Sequence, residues 1–186
     1  MKVAVVFESL YGHTHEVAEA VAAGVRDAWP DAQVELVRVG EADPRNAAEA
    51  DLLVIGGPTH MRGMTTGLSR KLGISAEAKK DPAERHELEP DAEGPGIRDW
   101  FHGLPKATGT RRAAAFDTRL EGRLAGGAAS AIARRLRSHG YDVVNEPEGF
   151  LVADGGDGPL VAGEANRARA WGAALAREAA LAGPVA

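Results

Sequence analysis

The stretch that most constrains this chain is Val3 to Thr14, reading VAVVFESLYGHT. Val3 to Phe7 is a short apolar run with the β-branched bias and the length of a buried parallel strand. Ser9, Tyr11, Gly12 and Thr14 follow it, and an amphipathic helix pattern starts directly afterwards. A strand, a tight hydroxyl-bearing loop and a helix start place hydroxyls and backbone N–H groups at the positive end of a helix. That arrangement suits an anion, most often a phosphate.

The loop also narrows the anion. No Gly-Lys-Ser/Thr follows it, so it is not a Walker A loop, and no G-x-G-x-x-G occurs in the chain. A polyphosphate usually draws on a lysine, a metal or a glycine-rich approach. This loop has no Lys or Arg and offers Ser9, Tyr11 and Thr14 as donors. Uncharged donors and a helix dipole fit a single phosphate monoester, and Gly12 lets the backbone come close to it. The plainer reading is an ordinary strand-to-helix turn of an α/β protein.

Ser9-Leu10-Tyr11-Gly12-His13-Thr14 resembles the phosphate loop of flavodoxin-like proteins. Its Tyr-Gly-His core is closer to the tryptophan-repressor-binding-protein type NAD(P)H:quinone oxidoreductases than to the loop of short electron-carrier flavodoxins. The resemblance implies FMN, with its phosphate held by Ser9, Leu10, Tyr11, Gly12, His13 and Thr14.

Periodicity along the rest of the chain is consistent with such a fold. His15 to Ala28 reads as a helix with Val17, Val21 and Val25 on one stripe, and Trp29-Pro30 ends it. Gln33 to Val39 alternates as a second strand, Ala42 to Ala50 is a loop or short helix, and Asp51 to Ile55 is a buried third strand. The predicted architecture is an α/β doubly wound, five-stranded parallel sheet in the flavodoxin-like order 2-1-3-4-5, with helices on both faces. In that order ligands bind beyond the carboxyl ends of strands one and three, and the two most unusual loops follow those strands.

The second loop is Gly56-Gly57-Pro58-Thr59-His60-Met61-Arg62-Gly63-Met64. Its Gly-Pro-Thr-x-x-x-Gly looks like the segment that runs along the flavin ring. The resemblance implies that Pro58, Thr59, His60, Met61, Arg62 and Gly63 line the isoalloxazine, with backbone donors toward its N5 edge; in an oxidoreductase, His60 is the candidate for a protonating or ring-positioning group. Its quinone reductases usually carry an aromatic here, where this chain has His60 and Met61.

Leu68 to Leu72 continues helically, and Ser75 to Asp99 then changes character, with eight acidic and four basic side chains and three prolines. It reads as an acidic insertion or long loop, at about 75–105, within a single domain spanning the chain. Its functions would be a docking face for a basic redox partner or an oligomer contact, against the blander solvated loop. Trp100 and Phe101 are expected in the core.

Arg111 to Asp117 is the fourth strand. Thr118, Arg119 and the residues to Gly122 form the third ligand loop, which the resemblance places on the pyrimidine side of the flavin. Only Thr118 and Gly126-Gly127 echo the quinone reductases there. Ala129, Ile132 and Leu136 stripe a helix ending at Gly140, and Arg134, Arg135 and Arg137 on it read as a solvated basic face. Tyr141–Val144 and Phe150–Val152 are two pieces of the fifth strand. Asp154 to Gly158 reads as a turn rather than a calcium loop, and Glu164 to Leu181 is the closing helix.

Composition excludes several alternatives. The chain has no cysteine, which removes disulfides, thiolate catalysis and Cys-ligated metals. A net charge of −5 argues against nucleic acid. No apolar run approaches a membrane span, and the first strand starts too early for a signal peptide, so a cytoplasmic protein is expected. There is no Gly-x-Ser-x-Gly elbow, and His13 and His15, two apart at a helix start, point away from each other rather than toward a shared metal. Two functions remain. One is an FMN oxidoreductase passing hydride from NAD(P)H to a quinone-like acceptor. The other is an electron carrier that docks with protein partners, with a flavodoxin fold that has lost FMN as a lesser alternative. Uncharged phosphate donors and a negative surface would oppose a negatively charged reduced flavin, which predicts a low potential for the second electron.

Overall fold

A computed structural model describes residues 1–60, 63–122, 127–153 and 158–181. Its centre is a parallel sheet. Strand β1 (Lys2–Phe7) lies between β2 (Gln33–Arg38) and β3 (Leu52–His60), β5 (Arg112–Arg119) lies on the far side of β3, and β6 (Asp142–Val143) continues outward. A short β7 (Glu148–Leu151) pairs with the carboxyl half of β5, so β6 and β7 are two pieces of one strand position. Asn145, with φ 63°, lies in the break between them. The order is 2-1-3, then β5, then β6 and β7, as the sequence predicts, in a flavodoxin-like α/β arrangement.

The sheet separates two cores because every second residue of a strand faces the same side. On one face Val3, Val5, Phe7, Leu52, Val54, Ala114 and Phe116 meet α1 (His13–Ala28) and α6 (Glu164–Leu181). On the other, Ala4, Val6, Leu53, Ile55, Ala113 and Ala115 meet α5 (Ala128–Ser138) and the segment holding Ile97, Trp100, Phe101 and Leu104. Trp100 and Phe101 are thus core residues, and the Trp100 indole N–H donates to the Ala42 carbonyl at 2.8 Å.

Helices α1 and α6 touch backbone to backbone. A Cβ on Gly24 would stand 1.9 Å from the Arg169 carbonyl oxygen, and one on Gly172 would stand 2.2 Å from that of Val21. Each helix supplies a glycine where the other's main chain crosses. Next to them Trp171 meets the Phe116 and Phe150 rings edge-on, with centroids 6.2 and 6.1 Å away.

Three expectations need correction. The third strand does not stop at Ile55. It continues through Gly56, Gly57, Pro58 and Thr59 to His60 and turns back into β4 (Gly63–Met64), with Thr59 opposite Met64 and His60 opposite Gly63. Both glycines pair with β5, opposite Phe116 and Asp117, and at Gly56 a Cβ would come within 1.9 Å of the Phe116 ring. The fourth strand likewise runs through Thr118 and Arg119, since β7 pairs with it there. Third, the acidic stretch starts later. Helix α3 runs from Gly67 to Ala78, opened by a capping box in which Thr66 and Ser69 each accept the other's backbone N–H. Only 79–96 is irregular, apart from a 3-10 turn at Pro82–Glu84, before α4 (Ile97–Trp100).

Candidate functional site

The carboxyl ends of β1, β3 and β5 converge, and the sequence-predicted residues sit there. Ser9 and Leu10 are buried directly after β1. The Ser9 hydroxyl accepts the Gly12 N–H at 3.1 Å, closing the loop. Gly12, at φ 91°, occupies the left-handed region and is the N-cap of α1. The first intrahelical bond runs from Glu16 N–H to the Gly12 carbonyl, so the amides before it lie at the positive end of the helix. Tyr11 and His13 flank the loop with ring centroids 6.5 Å apart. Thr14 is buried, and its hydroxyl bonds the Thr118 hydroxyl at 2.7 Å.

The second and third segments are tied together by Asp117, which sequence reading left in a strand without a role. It is fully buried at the end of β5. Its Oδ2 accepts from the Thr59 hydroxyl and from Ala129 N–H, both at 2.9 Å. The Thr59 oxygen in turn accepts Ala128 N–H at 2.8 Å. One carboxylate therefore gathers the end of β3, the end of β5 and the first turn of α5. Among the described residues its other oxygen, Oδ1, has no hydrogen-bond partner, and Arg119 Nε stands 3.6 Å from it. Burial pushes the Asp117 carboxyl up, against the Ala129 N–H that favours its charged form. Arg119 extends across Gly149 of β7, where a Cβ would fall 2.3 Å from its guanidinium carbon. Pro58 pairs with Thr118 in the sheet. His60 is partly buried, and that burial lowers its pKa against the pull of Glu8. Nothing within 4 Å would meet a Cβ on Gly63. Met61 and Arg62 lie outside the described residues, as do Gly126 of the Gly126-Gly127 pair and Asp154 to Asp157 of the expected turn.

Two further clusters surround this convergence. Glu8, adjoining Ser9, is buried and accepts from Ile97 N–H at 2.9 Å and from the Thr65 hydroxyl. Arg70 of α3 lies 3.5 Å from Glu8 and 3.0 Å from Asp99. The hydrogen bond from Arg70 holds the Asp99 carboxyl below its usual range. On the other side, Arg38 at the end of β2 donates to Glu89 Oε2 at 2.9 Å, and His15 Nδ1 lies 2.8 Å from Glu89 Oε1. The His15 ring stacks on Phe7, with centroids 4.7 Å apart. Burial raises the Glu89 carboxyl, but the bonds from Arg38 and His15 outweigh it and leave the pKa below normal.

Glu8, Arg38, Glu89 and Asp117 join the site only through the fold. Glu8 and Asp117 each carry a signal, a carboxylate ending an apolar strand run. Arg38 reads only as a strand terminus, and Glu89 is one acid among many. Among the described residues no helix is long and apolar enough to cross a membrane, and no three His, Asp or Glu side chains converge as a metal site.

No protein-family model matches the chain, and no curated protein matches its sequence. Solved structures do match its fold over nearly its whole length. A flavodoxin from the domain Archaea shares 18% identity at a TM-score of 0.64, over 97% of this chain and 99% of that one. Oxidised flavodoxin 1 from Bacillus cereus shares 16% at 0.64, over 95% and 98%. A WrbA-like flavodoxin from Agrobacterium tumefaciens shares 20% at 0.58, over 97% and 98%. With strand order, loop positions and these neighbours in agreement, the chain has the flavodoxin-like fold.

Proposed function

We propose that this chain is an FMN-binding redox protein. The observation that carries the reading is the convergence of Gly12, Thr14, Thr59 and Thr118 beyond the carboxyl ends of three parallel strands, cross-linked by the Thr14–Thr118 and Thr59–Asp117 hydrogen bonds. The site's chemistry fits the group. Gly12 is left-handed at a helix N-terminus, and among the described residues nothing lies closer than 3.8 Å to a Cβ there and Asp117 leaves one buried acceptor oxygen without a partner. Ser9 to Thr14 would hold the phosphate, Pro58 to Gly63 would line the ring, and Thr118 and Arg119 would meet its pyrimidine side. When bound, the flavin supplies one- and two-electron chemistry. The chain's part is to orient it, exclude water and keep His60 neutral near pH 7, able to accept a proton.

An FMN titration of the apo-protein, followed by flavin fluorescence, tests this. Saturable quenching at one FMN per chain is expected, and its absence would end the redox reading. The second electron's potential is expected below that of free FMN.

Between the two redox roles, the electron carrier has a specific observation behind it. The matched structures include chains described as flavodoxins, and the acidic 79–96 segment borders the site as a docking face for a basic partner protein. NAD(P)H oxidation with a quinone separates the roles, because a carrier alone turns over almost none. A quinone reductase, with NAD(P)H as co-substrate and His60 as its catalytic group, remains the alternative reading, as does an oligomer in solution. A cytoplasmic setting and a single domain over all 186 residues belong to this proposal too.

A further inference from the structure

The phosphate loop itself carries no Lys or Arg, yet the fold brings an arginine and a second histidine beside it. Arg38 arrives from the end of β2 and His15 from the first turn of α1, and both are engaged by Glu89, at 2.9 and 2.8 Å. Glu89 belongs to the irregular 79–96 segment, which lies across the loop. Its backbone N–H donates to the Leu10 carbonyl at 3.0 Å. Its carboxylate lies 3.8 Å from where a Cβ would stand on Gly12, at the positive end of α1. Three residues earlier, His86 meets the Tyr11 ring edge-on at 5.8 Å. An anion of the chain's own thus sits beside the place where a phosphate is expected, holding Arg38 and His15.

The hold is polar. Residues 81–87 are exposed. Asp91 adds a long contact, its Oδ1 3.7 Å from Arg38 Nε, and among the described residues neither atom has a hydrogen-bond partner. The Glu89 side chain is only 9% exposed, against 27% for Arg38 and 25% for His15, so its release has to be matched by an anion that takes over both groups. A carboxylate next to a helix N-terminus also competes with any incoming dianion, through like-charge repulsion and for the same donors.

We propose that Glu89 is an internal stand-in for a phosphate monoester dianion. It occupies the Arg38–His15 pair in the unliganded chain and yields that pair to the ligand's phosphate when the 79–96 segment lifts. This rests on the FMN reading and adds Arg38 and His15 to the binding site.

The test is a set of FMN and riboflavin titrations of the wild-type chain, Glu89→Gln and the double variant Glu89→Gln/Arg38→Gln. Glu89→Gln is expected to tighten FMN on the order of tenfold, as removing one half-buried charge beside a dianion should. Riboflavin, which lacks the phosphate, is expected to bind all three alike. Adding Arg38→Gln is expected to cancel the gain. Amide hydrogen exchange on the wild-type chain gives a reading free of any variant, since FMN should speed exchange at Glu89 N–H. If Glu89→Gln binds FMN no better than wild type, or exchange at Glu89 slows on binding, Glu89 is a structural anchor and the proposal is overturned while the FMN reading stands. If neither the wild-type chain nor Glu89→Gln binds FMN, both readings fall.

Discussion

The hydroxyls of Thr14 and Thr118 lie 2.7 Å apart, although 104 positions separate them in the chain. Both residues are buried. The bond joins the first turn of α1 to the end of β5, and therefore the first candidate loop to the third. Thr118→Val leaves the Thr14 hydroxyl buried without its partner and should destabilise the fold by about 1–3 kcal/mol. Thr14→Val/Thr118→Val should recover part of that loss. Urea unfolding of the wild type, both single variants and the double variant measures the coupling. A coupling of zero would mean that the two hydroxyls act independently.

Asp117 should give stability an unusual pH dependence. Burial raises its pKa above the ordinary 3.8. Between the two values the folded state holds a proton that the unfolded state has released, so this group's contribution falls as pH rises through the window. Asp117→Asn cannot ionise. Unfolding midpoints of wild type and variant, followed upward from pH 4, should therefore shift relative to each other, with wild type losing ground. A constant difference would show that Asp117 is charged in the folded chain throughout.

His60 has the opposite sign. Burial lowers its pKa from 6.5, so the unfolded state takes up the proton first as pH falls. The stability from neutral, buried His60 is present above about 6.5 and lost as pH falls through the lower folded value. An NMR titration of the imidazole should place its midpoint below 6.5. A midpoint above that would mean the Glu8 charge outweighs burial and would remove the neutral histidine from the proposed site.

Gly56 tests the packing behind the second loop. Gly56→Ala puts a methyl into the Phe116 ring, whose atoms lie 1.9–2.3 Å from the Cβ position. The overpacking should cost about 1–3 kcal/mol or more. Gly56→Ala/Phe116→Leu should restore some of it in thermal denaturation. An unchanged melting temperature in the single variant would mean that the ring moves aside freely.

Much of the scaffold was legible in the sequence because it depends on periodicity. The Val17, Val21, Val25 stripe and the apolar runs of β1 and β3 each bury a surface that local pattern already shows. The loop from Ser9 to Thr14 was legible too, since a hydroxyl, a glycine and a helix start are neighbours in the chain. What local pattern could not show was partnership over distance. Gly56 and Gly57 read as a loop until β5 pairs with them, and at Gly56 the Phe116 ring supplies a reason for glycine in a strand. Asp117 read as a strand end until Thr59 and Ala129 arrive from elsewhere. Glu89 is indistinguishable in composition from the acids around it, and only the fold brings it to Arg38.

The glycine crossing of α1 and α6 has a mechanical consequence. With Gly24 and Gly172 each seated against the other helix's main chain, the two helices interlock in a single register. Sliding or rolling α1 would drive backbone into backbone. The dipole aimed at the first loop is therefore bolted down from its far end, by a helix more than a hundred residues downstream, while the cover over that loop is fastened by one backbone bond, one ring contact and the Glu89 pairs. Damage to α6 should therefore be felt at the first loop, through α1.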